Sequence, residues 1–318
     1  MKVFPRWLVV CVTWIDYSLC LPLLAYLPRR WTRPLETLRG WINWRADFDW
    51  RTLSLGHGYI RAATERGMAR VVQQTGRPAS ATELGQLTRQ RFICTSREEL
   101  DSWRLKRIDY ARLPHHIAGL EHLLTARDQG VGVILAKAHS DSLYIGLALL
   151  ARAGLTVNLM GTKVIFDPRV PPGIKKHYEQ KAEALNYLLA PGKLVFIEDS
   201  ISFFVKALRR GEIVVIASDG PSSSPDRATP VNFLGEQLLM SSGLEFLAHM
   251  TNSPIAFYEC HEQDHQNFQL RISKPLYLKE GGLQQSYYEM EQSLKANPGR
   301  WWAADQYANY IRAASGPL

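Results

Sequence analysis

The sequence predicts an α/β fold, with a mostly parallel central sheet flanked by helices and an N-terminal membrane-associated helical segment ahead of it. Three observations carry this expectation. From about residue 114 onward, short apolar runs of strand length alternate with segments of helical spacing. Those runs are mostly apolar, the pattern of strands covered on both faces. A long apolar stretch at residues 7–27, WLVVCVTWIDYSLCLPLLAYL, precedes all of them.

The N-terminal stretch has the length of a membrane span. It is flanked by Lys2 and Arg6 on one side and Arg29, Arg30 and Arg33 on the other, so its charges give little orientation. Asp16 falls in its middle and Pro22 interrupts it. A shallow in-plane helix therefore rivals a true span. A second aromatic and basic stretch, residues 41–51 (WINWRADFDWR), either extends the surface contact or turns its rings to a core. The expected organisation is an anchor and amphipathic region at 1–50, followed by one domain at 51–318.

Residues 55–75 carry helical spacing, and TGRPAS within 76–90 reads as a turn that opens a helix near Thr82. Residues 91–94 are short and apolar enough for an edge strand, with a helix from Ser96. Residues 116–128 read as a helix closed by Gln129 and Gly130. The strand 131–138 (VGVILAKA) follows, with His139 at its carboxyl end and the helix SLYIGLALLARAG beyond. A strand at 155–160, a helix at 174–189, a strand at 194–197, a helix at 201–210 and a strand at 213–217 continue the alternation.

The balance of 46% hydrophobic and 21% charged residues is that of a folded chain. A net charge of +8 calls for an anionic partner: nucleic acid, a membrane surface, or an acidic carrier or lipid. Nine Trp favour the membrane. No base-stacking motif or recognition helix supports nucleic acid. Cys11, Cys20, Cys94 and Cys260 have no metal spacing and read as free thiols of a reducing compartment. His115, His116, His261 and His265 form no ligand pattern, so neither metal nor cofactor is expected. The chain has no glycine-rich phosphate loop and no Gly-x-Ser-x-Gly elbow, which argues against a kinase or a serine hydrolase.

Ligands of parallel sheets gather beyond the carboxyl ends of the strands, and both His139 and Asp219 fall at such ends. A histidine there supplies a base, and amides at the start of the following helix supply donors for an oxyanion.

Four segments carry a resemblance. IAGLEHLLTARDQGVGVILAKAHSDSLYIG, VKALRRGEIVVIASDGPSSS, PVNFLGEQLLMSSGLEFLAHMTNSPIAFYEC and NPGRWWAADQY occur in this order across residues 114–310. Together they resemble the lysophospholipid acyltransferase superfamily, in its lipid A late (lauroyl/myristoyl) acyltransferase-like branch. The resemblance implies a glycerol-3-phosphate acyltransferase-like fold. It implies transfer of a fatty acyl group from an acyl carrier protein or coenzyme A thioester, as co-substrate, to a hydroxyl or amine on a glycolipid or small metabolite. It also implies a place on the cytoplasmic face of the inner membrane.

The family motif is a histidine followed, after four residues, by Asp or Glu. Here that position is Tyr144. Three readings stay open: Asp141 replaces the acid, Glu198 or Asp199 in FIEDS supplies it, or catalysis is lost and the chain is a silent acyl- or lipid-binding partner. A helix cap is the plain alternative for Asp141. The resemblance further implies that Asp219 orients a basic neighbour or the acceptor. Lys163 and Arg169 would meet a phosphorylated substrate, and Ser241 and Ser242 would bind at a helix start. Arg209 and Arg210 would help dock an acidic carrier.

Overall fold

The structure is a computed structural model and describes residues 5–51, 60–222, 224–263 and 267–313. Residues 55–59 of the expected helix at 55–75, and His265, lie outside the described residues.

Seven strands form the central sheet: β1 (His115–Ala118), β2 (Val133–Lys137), β3 (Val157–Gly161), β4 (Leu194–Phe196), β5 (Ile213–Ala217), β8 (Ile255–Glu262) and β9 (Phe268–Ile272), in the order β1-β9-β8-β2-β5-β3-β4. All neighbours run parallel except β8 and β9. A smaller antiparallel sheet, in the order β10-β7-β6, joins β6 (Ala228–Phe233), β7 (Glu236–Ser241) and β10 (Ile311–Arg312).

Alternation of side chains explains why β5, and β2 up to Lys137, are apolar. Ile134, Ala136, Val214 and Ile216 enter the core on one face, and Val133, Leu135, Ile213 and Val215 enter that on the other. The helix after β2, Leu143–Arg152, is apolar around most of its circumference because it lies fully within the second core.

In chain order the helices are α1 (Arg6–Ile15), α2 (Leu21–Ala25), α3 (Arg29–Ala46), α4 (Ile60–Gln73), α5 (Ala81–Arg104), α6 (Leu120–Asp128), α7 (Leu143–Arg152), α8 (Pro172–Leu189), α9 (Ile201–Arg209), α10 (Gly243–Thr251) and α11 (Gly282–Ala296). Ser80 caps α5 by accepting from the Glu83 amide.

Two local expectations are corrected. Residues 91–94 are not an edge strand but the middle of α5, where Arg91, Phe92 and Cys94 face inward. A four-residue apolar run does not distinguish strand from helix by periodicity alone. Residues 116–118 belong to β1 rather than a helix. The break falls at Gly119, whose φ is +82° and where a Cβ would lie 2.2 Å from the Ile272 carbonyl oxygen.

The N-terminal helices pack along the domain. α1 and α2 are joined by a π-helical turn, Asp16–Cys20, into one continuous rod. Its inward stripe, Val9, Thr13, Tyr17, Leu21 and Ala25, repeats every four residues, and the wider turn brings that repeat back toward one face. Tyr17, Leu21 and Ala25 share a core with Trp50, Leu100 and Ile174. The stretch 41–51 divides: Trp41 and Ile42 are exposed and Trp50 is buried.

Candidate active site

β2 and β5 are adjacent and parallel, so the residues that follow them meet at the same edge. His139 follows β2 and Asp219 follows β5. The His139 imidazole pairs through Nδ1 with Asp219 Oδ1 at 2.7 Å, and the His139 amide donates to Asp219 Oδ2 at 2.9 Å. The Trp301 indole Nε1–H donates to the same Oδ2 at 2.8 Å. Asp219 is 0% exposed, whereas the His139 side chain is 44% exposed. Burial alone would raise the Asp219 pKa, but the imidazole beside it and these hydrogen bonds outweigh burial and hold it below the usual value.

The chemical consequence follows from the tautomer. A carboxylate on Nδ1 keeps the proton there and leaves Nε2 as the acceptor at the exposed end of the ring. Such a ring can take a proton from a hydroxyl or amine, and Asp219 stabilises the imidazolium that forms.

The surroundings over-determine this pair. Tyr310 donates to the Asp219 carbonyl and Tyr287 donates to the Ser218 carbonyl at 2.9 Å. The Trp302 amide donates to the His139 carbonyl at 2.8 Å. Arg91, itself 1% exposed, holds the Trp302 carbonyl and ion-pairs with Asp49 at 3.2 Å and Asp305 at 3.4 Å. Sequence reasoning did not assign Trp301, Tyr287, Tyr310 or Arg91 to the site. The only signal was the Trp-containing segment NPGRWWAADQY.

The carboxylate at His139 is therefore that of Asp219, where the sequence pointed to Asp141 or Glu198. Asp141 is buried and has other partners. Ser142 Oγ donates to it at 3.4 Å and Arg300 stands 3.9 Å away, beside a cleft of about 300 Å³ lined also by Ser140, Glu259, His261 and Ser293. Glu198 follows β4, three strands from β2, a separation of about 14 Å at ordinary strand spacing. It accepts from the Lys163 amide at 3.1 Å, and Asp199 pairs with the Lys163 ammonium.

Tyr144, at the position of the family acid, is half-buried and its hydroxyl accepts from Lys181 Nζ at 3.0 Å. The Tyr144 amide, near the start of α7, points to Glu98 Oε1 at 3.4 Å. Glu98 itself is buried near Asp101 and Asp141, and burial first, then those charges, push its pKa up. Burial likewise pushes the ammonium of Lys137 down. The residue four places after His139 thus makes its contacts with Lys181 and Glu98.

The remaining expected residues have partners of their own. Arg169 ion-pairs with Asp167 at 2.8 Å on the surface. Ser241 pairs with Ala228 across the β6–β7 hairpin, and the Ser242 amide donates to the Arg227 carbonyl at 3.1 Å. Arg209 reaches the Met250 carbonyl, and Arg210 pairs with Glu212 at 2.6 Å.

A carboxylate-held imidazole at the carboxyl edge of an open, mostly parallel sheet defines an α/β enzyme site suited to moving a group onto a nucleophile. Comparison with protein families makes the class specific. Residues 88–302 match the profile of the bacterial lipid A biosynthesis acyltransferases, and the chain belongs to that family. The match covers every strand from β1 to β9, as well as His139, Asp219 and Trp301. No curated protein matches the chain.

Proposed function

We propose that the protein transfers a fatty acyl group from an acyl carrier protein or coenzyme A thioester to a hydroxyl or amine acceptor, a glycolipid being the acceptor that the family favours. The single observation that carries this reading is the His139–Asp219 pair inside the family-matched segment. His139 Nε2 takes the proton of the acceptor O–H or N–H as the acceptor attacks the thioester carbonyl. The tetrahedral intermediate then collapses, the C–S bond breaks, and the departing sulfur takes the proton from the imidazolium. Asp219 stays ionised throughout and holds the ring.

The work place is the cytoplasmic face of the inner membrane. An apolar N-terminal helix and membership in a lipid-modifying family support it. The net charge of +8 favours an acidic carrier as donor, through long-range attraction rather than through any one pair.

The test is thioester cleavage by the purified protein and by its His139→Ala, Asp219→Asn and Asp141→Asn variants. Acyl carrier protein and coenzyme A thioesters serve as donors, with lipid extract or an amine pool as acceptors. Loss in the first two variants alone supports the reading. A folded wild type that binds acyl chains yet turns over no donor would instead mark a silent acyl-binding partner.

A further inference from the structure

The N-terminal helices have their polarity reversed relative to a water-facing helix. In α3 the inward side carries Thr32, Glu36, Arg39 and Gly40, while Trp31, Leu35, Leu38, Trp41 and Ile42 face outward and are each at least 39% exposed. Glu36 is 2% exposed and is held inside the protein by Arg33 at 2.9 Å and Arg104 at 3.3 Å. The rod α1–α2 likewise exposes Trp7, Trp14, Ile15, Leu19 and Leu23. In water such an arrangement exposes many large apolar side chains on neighbouring helices, which soluble proteins avoid.

The apolar rod is also fastened to the domain along its length. Asp16, the acid that would be costly at the centre of a span, turns inward and accepts from Arg39 Nε at 3.0 Å. Arg39 in turn reaches Glu99 of α5 at 2.6 Å, and the Tyr17 hydroxyl donates to the same carboxylate group. The rod passes so close to the start of α8 that a Cβ on Gly173 would stand 3.2 Å from the Thr13 carbonyl oxygen and the Trp14 Cα. α3 approaches α5 more closely still, for a Cβ on Gly40 would meet the Ile93 backbone at 2.5 Å.

We propose that α1–α3 form a monotopic docking face for an anionic bilayer surface. The rod lies in the plane of the interface, and both of its ends stay on the side of the catalytic domain. A crossing would strip Asp16 from Arg39 and Tyr17 from Glu99, and would carry the buried stripe Val9–Tyr17–Leu21 away from its core. Charge selects the occupant. Among residues 5–46 the exposed charged side chains are Arg6, Arg30 and Arg45, and both acids of that segment, Asp16 and Glu36, are turned inward. Exposed Trp and Tyr mixed with Arg, and no exposed acid, match lipid headgroups over an acyl boundary.

This inference rests on the proposed work place at the membrane, but its test needs neither substrate nor turnover. In the full chain, Cys11 and Cys20, which are exposed, are replaced by Ser, while Cys94 and Cys260 stay buried. A single new thiol is then placed by Arg6→Cys, Arg30→Cys or Arg112→Cys, before the rod, after it, or on the catalytic domain. A membrane-impermeant maleimide is applied to spheroplasts and to inside-out vesicles. The expected result is that all three thiols react from one common side. Reaction of Arg6→Cys and Arg30→Cys from opposite sides overturns the proposal.

A second arm uses purified protein and vesicles of zwitterionic lipid with and without phosphatidylglycerol. Leu38→Glu is expected to weaken binding to the anionic vesicles at least about tenfold with an unchanged melting temperature. Absence of wild-type binding to both vesicle types would assign the face to another occupant and sink the proposal.

Discussion

Trp301 and His139 share one oxygen: the indole N–H and the His139 backbone amide both donate to Asp219 Oδ2, at 2.8 and 2.9 Å. Oδ1 is thereby left to the imidazole alone. A residue from the C-terminal part of the chain fixes the rotation of a carboxylate that follows β5, which in turn fixes a ring that follows β2. The kinetic and stability consequences of this arrangement can be separated.

Asp219→Asn keeps the shape of the side chain but removes the charge that holds the Nδ1 proton. Turnover is expected to fall about a hundred- to ten-thousand-fold, with thioester binding retained. Asp141→Asn should change turnover less than about tenfold, because Asp141 faces Ser142 and Arg300 rather than the ring. Steady-state kinetics on both variants separates the two acids.

Trp301→Phe preserves a buried ring and deletes one donor to Asp219. The expected cost is about 1–3 kcal/mol of stability, from a buried carboxylate oxygen that loses a partner. The turnover loss should be smaller than for Asp219→Asn, since Oδ1 still meets Nδ1. Urea unfolding and kinetics on the same preparation test both parts.

The depressed Asp219 pKa makes a signed prediction. A carboxylate held below its ordinary value contributes stability above the unfolded pKa, near 4, and loses it as pH falls through the lower folded value. The stability gap between wild type and Asp219→Asn should therefore shrink as pH falls below about 4. An unchanged gap down to pH 3 in urea titrations would contradict the ionised, imidazole-paired carboxylate.

Arg91→Met removes the buried cation that bridges α5 to Asp49, Asp305 and the Trp302 carbonyl. Among the described residues, the two acids then stay buried with Arg51 as their one remaining cation, at 3.1 and 3.3 Å. The expected destabilisation is about 3–5 kcal/mol, measured as a lower urea midpoint. A shift under 1 kcal/mol would show that Arg51 suffices.

Gly119→Ala places a Cβ 2.2 Å from the Ile272 carbonyl oxygen at a φ of +82°. Both the clash and the backbone strain act together, so destabilisation of at least about 1–3 kcal/mol is expected. Thermal unfolding reads it directly.

The sequence by itself determined the alternation of buried strands and helices, because apolar runs of strand length and helical spacing are local properties of the chain. It also placed His139 and Asp219 at strand ends, and the order of four segments pointed to the family that residues 88–302 match. What it could not decide was which acid meets the histidine. Asp141 is two residues from His139 and Asp219 is eighty, yet it is the distant one that pairs with the imidazole. β2 and β5 become neighbours only once the sheet assembles, and strand order is set by packing of covered faces rather than by any local pattern. For the same reason the role of Trp301 was out of reach, as was the inward turn of Asp16 toward Arg39: each depends on a partner distant in the chain, brought near by burial of the surfaces between them.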